Sequence, residues 1–134
     1  MTSRFLLDTH VLIRWLVDPK RLSRNQTRIL NEALRRPESL AISAITLLEI
    51  ALLLTDGPLR TKLSQDEVFG ELEASPVLQI LPLTIEIAKE VFSLGNTLRD
   101  PADRVIVATA RVHGLRLLTS DQRIMESKFV SAIA

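Results

Sequence analysis

Short apolar runs alternate with longer stretches of helical periodicity along this chain of 134 residues. Phe5-Leu6-Leu7 is entirely apolar and too short for a helix, which predicts a strand buried on both faces. Leu40-Ala41-Ile42-Ser43 predicts a second strand of the same kind. Further strands are predicted over residues 77–83 and 115–119, and an edge strand over residues 129–133.

The stretches between these runs carry apolar residues at helical spacing and residues that begin or end helices. Helices are predicted from Val11 to Pro19, from the capping residue Ser23 to Pro37, over residues 45–54 up to the turn Asp56-Gly57-Pro58, from the capping box Ser64–Glu67, from Thr84 to Gly95, and from Asp100-Pro101 to Gly114. Strands that alternate with helices indicate βαβ units. The sequence therefore predicts an α/β fold of three layers, a mainly parallel sheet with helices on both faces, in one domain over residues 1–134.

Composition narrows the possible functions. The hydrophobic share of 46% and the charged share of 25% are ordinary for a globular domain, which excludes general disorder. The chain has no cysteine, so disulfides, a thiol nucleophile and thiolate metal sites are excluded. A formal net charge of +1 indicates no general nucleic-acid coat. The apolar start is interrupted by charges and no membrane-spanning stretch follows, so we expect a cytoplasmic protein without membrane contact.

Acidic residues fall where the predicted strands end. Asp8 directly follows the first strand, and Asp121 follows the strand over residues 115–119. Glu49 interrupts an apolar helix, and Asp103 lies in the first turn after Asp100-Pro101. Because ligands of open α/β sheets bind outside the carboxyl ends of the strands, these acids are expected at one crevice.

Each acid also has a structural interpretation. Asp8 and Asp121 could be helix N-caps, and N-capping is the favoured role for Asp100. Glu49 has no basic residue one turn away on its helix, so it lies either on a narrow polar stripe or partly buried with a partner.

Several carboxylates at one crevice repel one another unless a cation compensates. A set of ligands made only of oxygen suits Mg²⁺ or Mn²⁺. The matching reaction is metal-assisted hydrolysis of a phosphodiester.

Four segments that contain these acids resemble the motifs of PIN-domain ribonucleases, in particular the VapC-type toxins of type II toxin–antitoxin pairs. The segments are LLDTHVLIRW at residues 6–15, SAITLLEI at 43–50, RDPADRVIVA at 99–108 and LLTSD at 117–121. Each motif is weak by itself, but four in order along the chain are specific. The third departs from its usual form, since Ala102 stands where an aromatic residue is common.

The resemblance implies a Mg²⁺- or Mn²⁺-dependent endoribonuclease that a cognate antitoxin inhibits and that forms a homodimer. By position, the catalytic and metal-binding acids are Asp8, Glu49, Asp103 and Asp121. Thr9 and Ser120 match the hydroxyl positions beside the first and last aspartates, as support for metal or water. Asp100 matches an acid common in this subgroup.

Basic residues suggest how RNA would reach these acids. Arg24 and Arg28 belong to a basic cluster around the second helix, which is either a track for the RNA backbone or a solvated face. Arg14 could contact phosphate. Arg104 could do the same, although an ion pair with Asp100 or Asp103 is the favoured interpretation. Neither His10 nor His113 is assigned to catalysis.

Two other functions remain compatible with the sequence. One is a catalytically silent PIN-like module that binds RNA or protein, although the presence of all four acids argues against it. The other is a nuclease for structured DNA, for which this chain has little spare length.

Overall fold

The computed structural model of the protein describes residues 3–36, 38–56 and 63–134. The strands in these ranges are β1 Phe5–Leu7, β2 Leu40–Ser43, β3 Leu78–Leu81, β4 Arg116–Leu118 and β5 Ala132–Ile133. The helices are α1 Thr9–Val17, α2 Arg24–Arg35, α3 Ala44–Asp56, α4 Gln65–Ala74, α5 Ile85–Leu94, α6 Pro101–His113 and α7 Gln122–Ser127, with a short 3-10 helix at Pro19–Arg21.

The strands form one parallel sheet in the order β3-β2-β1-β4-β5. The register aligns Leu6 with Ala41 on one side and with Leu117 on the other. Neighbouring residues of a strand point to opposite faces of the sheet. Leu6, Ala41 and Leu117 therefore lie on one face, and Leu7 and the residues aligned with it lie on the other.

Helices cover both faces, which confirms the predicted three-layer α/β fold. Leu6, Ala41 and Leu117 belong to a core with residues of α5, α6 and α7. Leu7, Ile42 and Leu118 belong to a second core with residues of α1, α2, α3 and α4. The central strand is therefore buried on both sides, as its apolar sequence predicts.

Local signals place most of the helix boundaries. Ser23 and Ser64 begin α2 and α4 with reciprocal capping boxes. Thr84 caps α5, and Asp100 caps α6 ahead of a proline in its first turn. Gly114 ends α6 in the left-handed region at φ 65°, where a side chain would be strained.

The sequence overestimates three strands and misses one helix. The strand predicted over residues 77–83 ends at Leu81, because Pro82 has no N–H to donate to a neighbouring strand. The strand predicted over residues 115–119 covers only Arg116–Leu118, and the one over residues 129–133 only Ala132–Ile133, since Phe129 and Val130 pack against the helical core instead. The α7 helix has six residues, too few to show a periodicity. Gly57 and Pro58 of the predicted turn lie outside the described residues.

Within the described ranges, no helix combines the length and the apolar character needed to cross a bilayer.

The two-sided burial of the sheet predicts a large effect for a small truncation. Leu117 is 0% exposed at the centre of β4, so Leu117→Ala should lower the free energy of unfolding by about 2–5 kcal/mol. Leu83→Ala is the matched control, because Leu83 is 54% exposed and its truncation should change the free energy of unfolding by about 0.5 kcal/mol or less. Urea unfolding of both variants checks this, and similar losses for the two would contradict the packing described above.

Candidate active site

The candidate acids gather at the carboxyl edge of three neighbouring strands. Asp8 directly follows the central strand β1, and Asp121 follows β4 beside it. Glu49 lies on α3, which begins immediately after β2. Asp103 lies in the first turn of α6, which packs against α3. The parallel order of the strands thus places all four motifs at one edge.

Asp8 is a buried carboxylate with hydrogen bonds on both oxygens. Its side chain caps α1 by accepting the Thr9 N–H at 2.7 Å, and it accepts the Thr119 hydroxyl at 2.6 Å. His10 Nδ1 lies 3.2 Å from Asp8 Oδ2. Burial by itself would raise the pKa of Asp8. The hydrogen bond from His10, the positive charge of His10 when it is protonated, and the hydrogen bonds from Thr119 and the Thr9 N–H outweigh burial and lower that pKa below its usual value. Asp8 is therefore both a helix cap and an ionised group of the crevice.

Glu49 has a hydroxyl as its partner. The Thr9 hydroxyl donates to Glu49 Oε1 at 2.5 Å, and the Thr9 and Thr46 hydroxyl oxygens lie 2.9 Å apart. Since Thr9 has one hydroxyl proton and gives it to Glu49, Thr46 is the donor in the second bond. Burial raises the pKa of Glu49 against the opposing hydrogen bond from Thr9, and the charges of nearby aspartates raise it further.

Asp103 shows the electrostatic strain of the cluster. Burial raises its pKa to about 7, together with the negative charges of Asp8, Asp100, Asp121 and Glu49. In the part of the chain that the structure describes, no donor or cation contacts its carboxylate. Asp103 is therefore a half-buried carboxyl group that the charges of four other acids reach.

Asp121 and Asp100 each cap a helix at this edge. Asp121 caps α7 by accepting the Arg123 N–H at 2.9 Å, while its own N–H donates to Thr119 Oγ1 at 3.0 Å. Asp100 caps α6 by accepting the Ala102 N–H at 2.9 Å, as its position predicts. N-capping leaves the second carboxylate oxygen of each side chain without a bond to its helix.

The prediction that Arg104 forms an ion pair with Asp100 or Asp103 is wrong. Its guanidinium donates to the backbone carbonyls of Leu98 and Arg99, which orients the segment before α6. Within the described ranges, none of the ion pairs joins Arg104 to Asp100 or Asp103. A planar guanidinium can satisfy carbonyls as readily as carboxylates, and the helix geometry directs it to the former.

The other predicted residues lie at different distances from the acids. Thr9 contacts Glu49, and Ser120 contacts His10 and Gln26. Arg24 is exposed at the start of α2, and Arg14 lies in the last turn of α1, about 9 Å along the helix from Asp8. Arg28 lines a cavity with Arg4 and Phe5, at the amino edge of the sheet.

Sequence reasoning missed four residues that support the acids. Thr119 bridges Asp8 and Asp121, Thr46 donates to Thr9, and His10 links Asp8 to the Ser120 N–H. Gln26 donates to Ser120. The capping pattern Ser23-x-x-Gln26 was visible in the sequence, but its contact with Ser120, 94 residues further along, was not.

The donor set fits a hard divalent cation. All the acidic side chains offer oxygen, which Mg²⁺ and Mn²⁺ prefer, and a positive charge would relieve the repulsion that raises the pKa of Asp103. Among the described residues, no three Asp, Glu or His side chains stand in a ready-made metal cage. The edge is therefore a coupled acidic cluster that would have to close around an ion.

Known proteins resemble this chain in sequence and in fold. The chain is 32% identical to ribonuclease VapC22 of Mycobacterium tuberculosis over 120 residues, which cover 89% of this chain and 88% of that protein. Similar folds are found in FitAcB of Neisseria gonorrhoeae (TM-score 0.72, 24% identity, 97% of this chain and 96% of that one). They are found also in VapBC2 of Rickettsia felis bound to a DNA fragment from their promoter (TM-score 0.72, 16% identity, 96% of each chain).

A toxin–antitoxin complex from Klebsiella pneumoniae has the fold too (TM-score 0.66, 21% identity, 96% of this chain and 95% of that one). The profile of the PIN domain matches residues 5–129, nearly the full length. The resemblance seen in the four motifs is confirmed, and the chain belongs to the PIN-domain family.

Proposed function

We propose that this protein is a Mg²⁺- or Mn²⁺-dependent endoribonuclease and the toxin of a toxin–antitoxin pair. Asp8, Glu49, Asp103 and Asp121 would hold the cation. The observation that carries the proposal is the placement of these acids at one carboxyl edge of the sheet, where burial and the charges of neighbouring acids raise the pKa of Asp103 to about 7. Similarity to a ribonuclease over 89% of the chain supports RNA as the substrate. Cellular RNA as substrate would place the activity in the cytoplasm.

The acids have distinct parts in this proposal. Asp8 stays ionised because its hydrogen bonds lower its pKa, so it provides a fixed negative charge. Glu49 is oriented by the Thr9 hydroxyl. Asp103 is free of partners among the described residues and would release its proton when a cation approaches. A bound divalent cation would supply Lewis acidity and lower the pKa of water for attack on phosphorus.

The partners follow from the relatives and from the surface. A chain of the same fold occurs in a toxin–antitoxin complex, which supports a protein antitoxin as partner. Apolar side chains also remain on the surface of α3 and α5: Leu48, Leu52, Ile85 and Phe92 are 52%, 51%, 79% and 89% exposed. Exposed apolar side chains of this size favour burial against another protein, and we propose a homodimer.

Asp121→Asn tests the cation site with little effect on folding. Asparagine caps helices as well as aspartate, so the melting temperature should stay within about 2 °C while Mn²⁺ affinity falls about tenfold or more and RNA cleavage is lost. Isothermal titration and a cleavage assay measure these effects, with Glu73→Gln as the control because Glu73 is exposed and close to the end of α4. Unchanged cation binding and cleavage would favour a catalytically silent binding module.

Asp103→Asn tests the electrostatic strain in the metal-free protein. Because the pKa of Asp103 is about 7 when folded and 3.8 in the unfolded reference, the native state binds the extra proton between these values. The contribution of Asp103 to the free energy of unfolding of the wild type should therefore fall as the pH rises from about 4 to about 7.

The variant lacks this loss. It should be more stable than the wild type at pH 8 by about 1 kcal/mol, after discounting for the solvent screening of a half-buried group, and little different at about pH 4. Thermal melts in a chelator at the two pH values measure the difference. An equal difference in melting temperature between variant and wild type at both pH values would show that Asp103 does not titrate as described.

Arg24 and Arg28 lie on the same helix and provide a matched test and control for RNA binding. Arg24 begins the helix whose Gln26 contacts Ser120, whereas Arg28 lines the cavity at the amino edge. Arg24→Ala should weaken RNA binding and reduce the salt slope of log K by about 1, and Arg28→Ala should leave the slope unchanged. Filter binding over a series of salt concentrations measures both. Equal losses would extend the RNA track along the whole helix.

A further inference from the structure

Gln26 is a buried polar side chain that the acidic motifs do not explain. It is 0% exposed at the third position of α2. Its Oε1 accepts the Ser23 N–H at 3.2 Å, while its Nε2 donates to Ser120 Oγ at 3.1 Å and to the Ile133 carbonyl at 3.4 Å. Buried amide groups are stable only when their polar atoms are hydrogen-bonded. Both the oxygen and the nitrogen of this carboxamide have such partners, which fix its orientation.

The capping box of α4 shows that capping does not require glutamine. There Glu67 accepts the Ser64 N–H at 3.2 Å, the same bond that Gln26 makes at α2. A capping box needs only an acceptor at this position, and a carboxylate provides one. The additional feature of Gln26 is its amide donor, which faces the segment between β4 and α7. Contact with that segment, rather than capping of α2, therefore explains why residue 26 is an amide.

Ser120 extends this contact to the first acidic motif. Its backbone N–H donates to His10 Nε2 at 3.0 Å. A nitrogen that accepts a hydrogen bond carries no proton, so the imidazole proton is on Nδ1, which faces Asp8 Oδ2 at 3.2 Å. The bonds thus form a continuous chain from Gln26 through Ser120 and His10 to Asp8.

We propose that Gln26 is a positioning residue that sets the separation of the Asp8 and Asp121 carboxylates. Asp121 follows Ser120 directly, and Asp8 receives the other end of the chain, so holding Ser120 in place positions both acids. The inference rests on the proposed function, which assigns these two carboxylates to the cation. Residues that orient metal-binding side chains typically change affinity or activity by about 10- to 100-fold.

Gln26→Met tests the proposal by removing the amide while keeping the length and volume of the side chain. At a temperature where the variant is fully folded, kcat and Mn²⁺ affinity should each fall about 10- to 100-fold, with KM for RNA little changed. Glu67→Met is the matched control, because it removes the equivalent capping bond at α4, away from the acidic edge. It should lower the melting temperature and leave kcat and Mn²⁺ affinity unchanged.

A double-mutant cycle with Ser120→Ala tests the route. If Gln26 acts through Ser120, the double variant should lose no more than the more severe single variant, whereas additive losses would overturn the route. Ser120→Ala keeps the α2 capping box, so its own loss of Mn²⁺ affinity serves as the test if Gln26→Met does not fold. In that case, unchanged affinity would overturn the proposal.

The side-chain ¹⁵N spectrum of His10 gives a readout in the metal-free protein. At a pH where the imidazole is neutral, the wild type should carry its ring proton on Nδ1, and Gln26→Met should show a mixture of the two tautomers. A Gln26→Met variant with the wild-type spectrum, kcat and Mn²⁺ affinity would overturn the inference. Absence of Mn²⁺-dependent cleavage by the wild type would overturn the proposed function instead.

Discussion

A buried negative charge at the end of the central strand is the constraint on which the acidic edge depends. Removing a carboxylate from water costs several kcal/mol unless hydrogen bonds replace the lost hydration. Asp8 obtains them from the first turn of α1 and from Thr119 at the end of β4. The same bonds that keep Asp8 ionised therefore hold together the carboxyl ends of β1 and β4 and the amino end of α1.

The surroundings of Asp8 and Asp103 shift their pKa values in opposite directions. Asp8 and Asp103 are the same residue type, yet the pKa of one is lowered and that of the other is raised to about 7. The difference comes from donors, since Asp8 has three and Asp103 has none among the described residues. Divergent pKa values of neighbouring acids are characteristic of functional sites.

Arg104 follows Asp103 directly in the sequence but does not neutralise the acidic edge, because its guanidinium donates to backbone carbonyls. His10 is the basic group paired with an acid of the cluster in the described ranges, and the Ser120 N–H keeps its Nε2 unprotonated. The cluster consequently retains most of its negative charge, which is the condition under which an external cation binds well.

Local sequence signals determined the element types, most helix boundaries and the α/β class, because apolar periodicity, caps and glycine ends act over a few residues. The order of four motifs was enough to locate the acids Asp8, Glu49, Asp103 and Asp121. Strand lengths were less predictable, because they depend on pairing with strands far away in sequence, as β4 pairs with β1 and β5.

Only the tertiary structure decided how the acids are supported. Thr119 and Asp8 are 111 residues apart, and Gln26 and Ser120 are 94 apart. Likewise, Arg104 had carboxylates and carbonyls within reach in sequence, and the geometry before α6 directed it to the carbonyls. Hydrogen bonds between distant segments depend on positions within a few tenths of an ångström, which residue spacing does not encode. The candidate acids of this edge were thus evident from the sequence, while their protonation and orientation depend on the folded chain.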